Sequence, residues 1–249
     1  MTVDIVRITT PGNMLEFYTP NKCTRDRADN LYVYEPETIE WLNSFEDGAI
    51  FWDIGANIGS YSCYAAIEKK ANIVAFEPNP FNIYVLARNI LLNNLSERIT
   101  IFPLPLFDKQ QIGPLNMTYC FEGGSLATFI HDYGYDGMNL NIQGAVMMFG
   151  MSADMLRTLY KMPYPNYIKI DVDGIEDIII KGLKNTLSSD TIRSIIVELN
   201  DDLPEQIQSI HSMLTHLNFS LAKRHRTSSQ DTQGHFSKVT NYMYVKNKH

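Results

Sequence analysis

Apolar positions along this chain recur with two different periods. Near-continuous apolar runs of four to seven residues occur at 49–53, 73–76, 99–102, 167–171 and 193–199. Runs this short, bounded by turn residues, predict strands buried on both faces. Between them apolar residues return every three or four positions over 61–69, 81–93 and 203–217, and a further helix is predicted from Gly174 onward. Residues 3–9 and 14–18 flank Pro11, Gly12 and Asn13 and predict a hairpin. Pro36 stands where a first-turn proline would open a helix through 43. Residues 219–224 and 241–246 predict a closing antiparallel pair. Strands alternating with helices imply right-handed crossovers and a doubly wound sheet. The expected fold is therefore α/β: a mostly parallel, doubly wound sheet with a C-terminal antiparallel hairpin. Residues 1–48 form a small N-terminal cap, and 49–249 the main domain. An insertion at about 109–166 is interrupted at Gly113, Gly123, Gly124, Gly134 and Gly144, and predicts extra strands plus one helix over 152–160.

With 249 residues, 45% of them hydrophobic and 20% charged, the chain has ample material for one core and is not of disordered composition. A net charge of −7 argues against nucleic acid as a partner. Cys23, Cys63 and Cys120 are far apart and form no C-x-x-C pair, so neither a disulfide framework nor a zinc site is expected. No leader-like N-terminus and no apolar stretch of membrane length are legible, so the expected location is cytoplasmic.

The most informative segment is Phe51 to Ser62. An apolar run ends in Asp53, a small-residue loop with Gly55, Asn57 and Gly59 follows, and a helical pattern starts near Ser60. Strand, loop and helix in this order hold a nucleoside-like cofactor at the carboxyl edge of a parallel sheet. The next strand ends in Glu77, 24 residues beyond Asp53. An acid at that position accepts hydrogen bonds from two ribose hydroxyls; the competing reading is a solvated strand end beside a proline turn. A dinucleotide site wants G-x-G-x-x-G so that pyrophosphate can rest on the helix N-terminus. Here Asn57 replaces the second glycine and Asp53 would repel phosphate. The electrostatics favour S-adenosylmethionine, with its cationic amino-acid end, over a nicotinamide dinucleotide.

These segments, followed by Lys169-Ile-Asp-Val-Asp-Gly-Ile-Glu176 and Val197-Glu198, resemble in order and spacing the FkbM-type family of S-adenosylmethionine-dependent methyltransferases, over about residues 35–200. The resemblance implies a Rossmann-like methyltransferase sheet and, most often, O-methylation of a hydroxyl on a sugar, glycan precursor or natural-product scaffold. One departure is Asp173, where the family usually carries Glu. The donor would be held by Asp53, Gly55, Asn57, Gly59 and Glu77, with Asp108 and Ser125 as looser fits. A non-catalytic S-adenosylmethionine-binding module and a nicotinamide-dependent oxidoreductase remain the alternatives.

Asp171, Asp173 and Glu176 end one strand, and Glu198 and Asn200 the next. Asp171 and Asp173 are the catalytic candidates, as bases or as carboxylates bordering the acceptor. Against this, Asp173 to Glu176 has the spacing of a capping box. No metal is called for by the spacing. Asp108 is either an adenine contact or an ordinary turn acid. Lys223, Arg224, His225, Arg226, His235 and Lys238 form a basic segment in an acidic chain. It points to an anionic acceptor, against the reading of a solvated hairpin tip. The many tyrosines of cap and insertion suit sugar stacking or plain packing. Met162-Pro-Tyr-Pro165 precedes its strand, unlike the Asn-Pro-Pro-Tyr loop of amine methyltransferases, and speaks against a nitrogen acceptor.

Overall fold

The computed structural model describes residues 4–226 and 238–247. Its centre is a seven-stranded sheet in the order β11-β12-β10-β9-β3-β4-β5. The parallel strands are β3 (Ile50–Ile54), β4 (Asn72–Phe76), β5 (Ile99–Phe102), β9 (Tyr167–Ile170) and β10 (Ser194–Asn200). The closing pair, β11 (Phe219–Arg226) and β12 (Val239–Lys246), is antiparallel, with β12 inserted against β10. From β3 the chain winds outward to β5, then returns to lay β9 on the other side of β3. The order therefore reverses at the carboxyl end of β3, where open α/β sheets bind ligands.

Alternation along the strands builds two cores. Trp52, Ile54, Phe76, Ile168, Ile170 and Val197 face one side, with α6 (Glu176–Lys181), α7 (Lys184–Leu187) and α8 (Pro204–His216). Phe51, Ile73, Ala75, Tyr167 and Ile196 face the other, with α2 (Pro36–Asn43) and α3 (Ser60–Glu68). Burial on both faces is why these strands read as unbroken apolar runs. The N-terminal hairpin of β1 (Ile5–Thr9) and β2 (Met14–Tyr18) shares this second core through Leu15 and Phe17. It is clamped to α4 (Pro80–Leu92) where Asn89 Oδ1 accepts from the Tyr18 N–H at 2.7 Å.

The insertion folds as a separate antiparallel sheet of β6 (Gln111–Met117), β7 (Ala127–Phe129) and β8 (Gly144–Gly150), then α5 (Ala153–Tyr160), capped by Ser152. One element was not foreseen: α1 (Lys22–Asp29), which buries only Thr24 and Ala28 and so shows no apolar stripe. Asn21 and Thr24 cap it reciprocally. The helix after β9 also starts later than its spacing suggests. Asp173 and Gly174 take left-handed backbone (φ +62° and +122°), and α6 begins at Glu176 with Ile175 at its N-cap. The capping box expected at Asp173 is therefore not formed, because the chain turns first.

Candidate active site

The loop leaving β3 folds back on the ends of its two neighbours. The Gly55 N–H donates to the Phe76 carbonyl (2.9 Å) and the Asp171 N–H to the Ile54 carbonyl (3.0 Å). Gly55 has φ +90°, and a Cβ there would stand 1.8 Å from the Asp171 carbonyl oxygen, so only glycine fits. Gly59 (φ +82°), the N-cap of α3, answers a different demand: a Cβ there would stand 2.3 Å from Leu86 Cδ1. Asn57 (φ +51°) takes the left-handed conformation that Asn tolerates among non-glycine residues. Its N–H donates to Glu77 Oε2 (2.7 Å) and its side-chain amide to the Gly124 carbonyl (3.1 Å). Glu77 Oε1 accepts from the Asn79 N–H (2.9 Å). Glu77 is 5% exposed, and burial pushes its carboxyl up to about 7 despite these donors.

Two cavities meet at Gly55. One is apolar, lined among others by Phe76, Pro78, Leu106, Ala127 and Ile175, and measures about 30 Å³. The other is charged, lined among others by Arg27, Glu35, Asn57, Tyr61, Lys169 and Asp171, and measures about 80 Å³. Across them lies the insertion loop at 121–127. Asn82 Nδ2 also donates to the Gly124 carbonyl (2.9 Å), and Arg27 Nε donates to that of Gly123 (2.7 Å). Asp173 Oδ2 accepts from the Leu126 N–H at 2.7 Å and more weakly from Ala127 (3.3 Å). Asp173 is thus a clamp on this loop, its carboxyl pushed up to about 6 by burial and by Asp171.

The remaining residues singled out from the sequence are placed unevenly. Asp53 is buried below the loop, where Ser62 Oγ donates to it at 2.6 Å, and it lines neither cavity. Burial raises its carboxyl to about 6. Asp108 is exposed and lines neither cavity; Leu104, Pro105 and Leu106 occupy the place expected for it. Ser125 sits in the clamped loop between Gly124 and Leu126, outside both linings.

Sequence reasoning missed a charged cluster on the α2 and α3 side of the sheet. Lys169, 2% exposed, donates to Asp171 Oδ2 (2.7 Å) and lies 3.4 Å from Glu35 Oε2. Thr38 Oγ1 and Asn241 Nδ2 also donate to Glu35 (2.7 and 3.1 Å). Burial alone would raise Asp171, but the ammonium beside it holds the carboxyl below its ordinary value. Its neighbour Glu198 is driven the other way, raised by burial and by the Asp171 charge. Oxygens of Glu35, Asp171 and Glu198 lie within 4.8 Å of one another, a trio able to hold a metal ion, but the Lys169 ammonium already supplies a cation there. A lysine inside the apolar run Tyr167-Ile-Lys-Ile170 was the available signal, since a doubly buried strand cannot carry an unpaired charge.

A third cavity, about 590 Å³, opens beyond the ends of β9 and β10. Its walls include Tyr133, Gly174, Asp177, Asp202, Glu205 and Gln206. No lysine or arginine lines it among the described residues. The basic segment does not supply one: Arg224 and Arg226 both pair with Asp201 (2.9 and 3.5 Å), and His235 lies outside the described residues. Among the described residues no helix is long and apolar enough to cross a membrane.

A doubly wound sheet with a glycine turn at its switch point and an acid at the tip of the next strand defines a Rossmann-like architecture. The chain belongs to the methyltransferase FkbM domain family, whose profile matches residues 53–224. It is 31% identical over 162 residues to the hexuronic acid methyltransferase AglP of Haloferax volcanii, covering 64% of this chain and 59% of that protein. To the methyltransferase sdnD of Sordaria araneosa it is 27% identical over 169 residues, covering 59% of this chain and 64% of that one. The chain thus spans about three-fifths of the curated relatives it matches. Among solved structures, the fold is similar to a methyltransferase FkbM from Methylobacillus flagellatus (TM-score 0.55, 15% identity, 81% of this chain, 44% of that one). It is also similar to TrmK from M. capricolum in complex with S-adenosylhomocysteine (TM-score 0.50, 13% identity, 86% of this chain and 69% of that one).

Proposed function

We propose that this protein is an S-adenosylmethionine-dependent methyltransferase acting on an oxygen of a sugar, glycan precursor or natural-product scaffold. The observation that carries the reading is the pair of unlike cavities joined at Gly55, with Glu77, which lines neither, bonded to the Asn57 N–H at the edge of the charged one. An apolar slot suits adenine, the Glu77 carboxylate suits a ribose diol, and a charged cavity suits an amino acid. When bound, the donor supplies an electrophilic methyl group on a sulfonium. Gly55 and Asn57 hold its cradle, and Asp53 and Gly59 act beneath as supports. Both cavities are well below the roughly 300 Å³ of a formed ligand pocket. The clamped loop carrying Ser125 therefore has to lift for entry.

The acceptor belongs in the larger cavity. Carboxylates and amides such as Asp177, Asp202 and Gln206 accept from, or donate to, hydroxyls, and Tyr133 offers a ring face. That lining favours a neutral polyhydroxyl group over the anionic one suggested by the basic segment, although the relative AglP is named for a hexuronic acid. Asp171 is our choice of proton acceptor; it borders the charged cavity and not the larger one, so the acceptor's reacting hydroxyl has to reach across to the end of β9. With alignment supplying most of the rate, an ionised, weakly basic carboxylate suffices there. The test is transfer of labelled methyl from S-adenosylmethionine to a panel of neutral sugars, uronic acids and polyhydroxylated scaffolds. Label on a neutral acceptor supports the reading. Donor binding without transfer to any acceptor supports the binding-module alternative.

A further inference from the structure

Five of the thirteen residues that line the charged cavity, Arg27 and Glu35 among them, lie ahead of the family-matched segment, which begins at Asp53. We infer that Arg27 and Glu35, both from the N-terminal cap, receive the amino-acid end of the donor: Arg27 its carboxylate and Glu35 its ammonium. The inference rests on the donor reading above and goes beyond it, because it makes the cap part of the cofactor site.

Arg27 is half-buried on α1 and borders a cavity shared with Glu35 and Asp171. Its Nε is fixed by the Gly123 carbonyl at 2.7 Å. Among the described residues no carboxylate lies within 4 Å of it, although arginines 25, 193, 224 and 226 all have one. A guanidinium held at its Nε and bordering a cavity offers a fork that fits a carboxylate. Glu35 is the complementary group. Lys169, Thr38 and Asn241 hold its carboxylate in place at the rim of the same cavity. One cavity with a preorganised cation and a preorganised anion takes a zwitterion, and the donor's methionine end is one. The helix that carries Arg27 is itself anchored for this purpose: Asn21 caps it and also donates to the Glu122 carbonyl at 2.9 Å, tying cap to insertion loop.

Calorimetric titration of the full chain with S-adenosylhomocysteine and with 5′-methylthioadenosine separates the ends of the ligand, since the second lacks the amino acid. Arg27→Ala is expected to weaken S-adenosylhomocysteine about tenfold or more while leaving methylthioadenosine within about twofold. Glu35→Gln should act in the same sense, and Arg27→Lys should recover part of the loss. Retained methylthioadenosine binding also certifies that each variant is folded. Unchanged S-adenosylhomocysteine affinity, or equal loss of both ligands, overturns the assignment. If the wild type binds neither ligand, the donor reading itself fails and this one falls with it.

Discussion

The Asn57 N–H donates to Glu77 Oε2 at 2.7 Å, joining the loop after β3 to the tip of β4. Glu77 thus fixes the loop after β3, and on the proposed reading its remaining lone pairs would meet a ribose. Burial raises its carboxyl to about 7, so the folded chain binds a proton there that the unfolded chain releases near pH 4.5. Its contribution to stability is complete below that unfolded value and is lost as pH rises through about 7. A donor whose hydroxyls need the ionised form has the opposite preference. S-adenosylhomocysteine is therefore expected to bind more tightly at about pH 8 than at about pH 6, with proton release on binding. Titrations in buffers of different ionisation enthalpy measure that release. Glu77→Gln should abolish it and weaken binding; equal release in wild type and variant would remove Glu77 from the ribose.

The two glycines of the loop should respond differently to alanine. At Gly55 the new methyl meets a backbone carbonyl, which has no room to move. At Gly59 it meets the end of the Leu86 side chain, which can shift. Both positions also penalise a side chain through positive φ. Gly55→Ala is expected to cost about 3 kcal/mol or more and Gly59→Ala about half of that. By thermal unfolding the first should fall by roughly 6–12 °C. A Gly55→Ala variant as stable as the wild type would mean that the loop is free to move off β9.

What could be read from the chain was what is encoded locally. Period and turn residues marked β3, β4, β9 and β10, and the same few residues marked Gly55, Asn57 and Glu77, because the cofactor turn is built within one stretch of sequence. Features fixed by distant partners were hidden. Glu35 and Lys169 meet across 134 positions, and Asn241 joins Glu35 across 206, so no spacing rule finds them. Asp173 satisfied a local capping pattern, yet its carboxylate is taken by the N–H groups of Leu126 and Ala127, and that demand sets its backbone. Helix α1 left only a cap signal, Asn21 and Thr24, since it buries only Thr24 and Ala28 and so carries no apolar stripe.

Lys169 holds the acidic cluster together. Replacing it with Met keeps the volume and leaves the carboxylates of Asp171 and Glu35 facing each other without a cation. Breaking such a buried pair from one side costs on the order of 3–5 kcal/mol. The loss should be smaller at low pH, where the stranded carboxylates take up protons. Chemical denaturation at about pH 5 and about pH 8 checks this. An equal loss at both would mean that Lys169 contributes by packing alone.

Asp171 and Asp173 stand two residues apart and should separate kinetically. The Asp171 carboxylate borders the charged cavity at the end of β9, whereas that of Asp173 is spent on the insertion loop. If Asp171 accepts the acceptor's proton, Asp171→Asn removes the base while an amide of the same shape still takes the Lys169 hydrogen bond. The variant is expected to lose about 100-fold or more in kcat, well beyond any change in donor KM that follows from its place in the charged cavity. Asp173→Asn keeps one acceptor for the Leu126 N–H but not the charge that strengthens the bond. Its effect should appear in donor KM and in Tm, through a loop that closes less firmly, with kcat at saturation within a few-fold of wild type. A large kcat loss confined to Asp173→Asn would exchange the two roles, and would require the loop to release that carboxylate before methyl transfer.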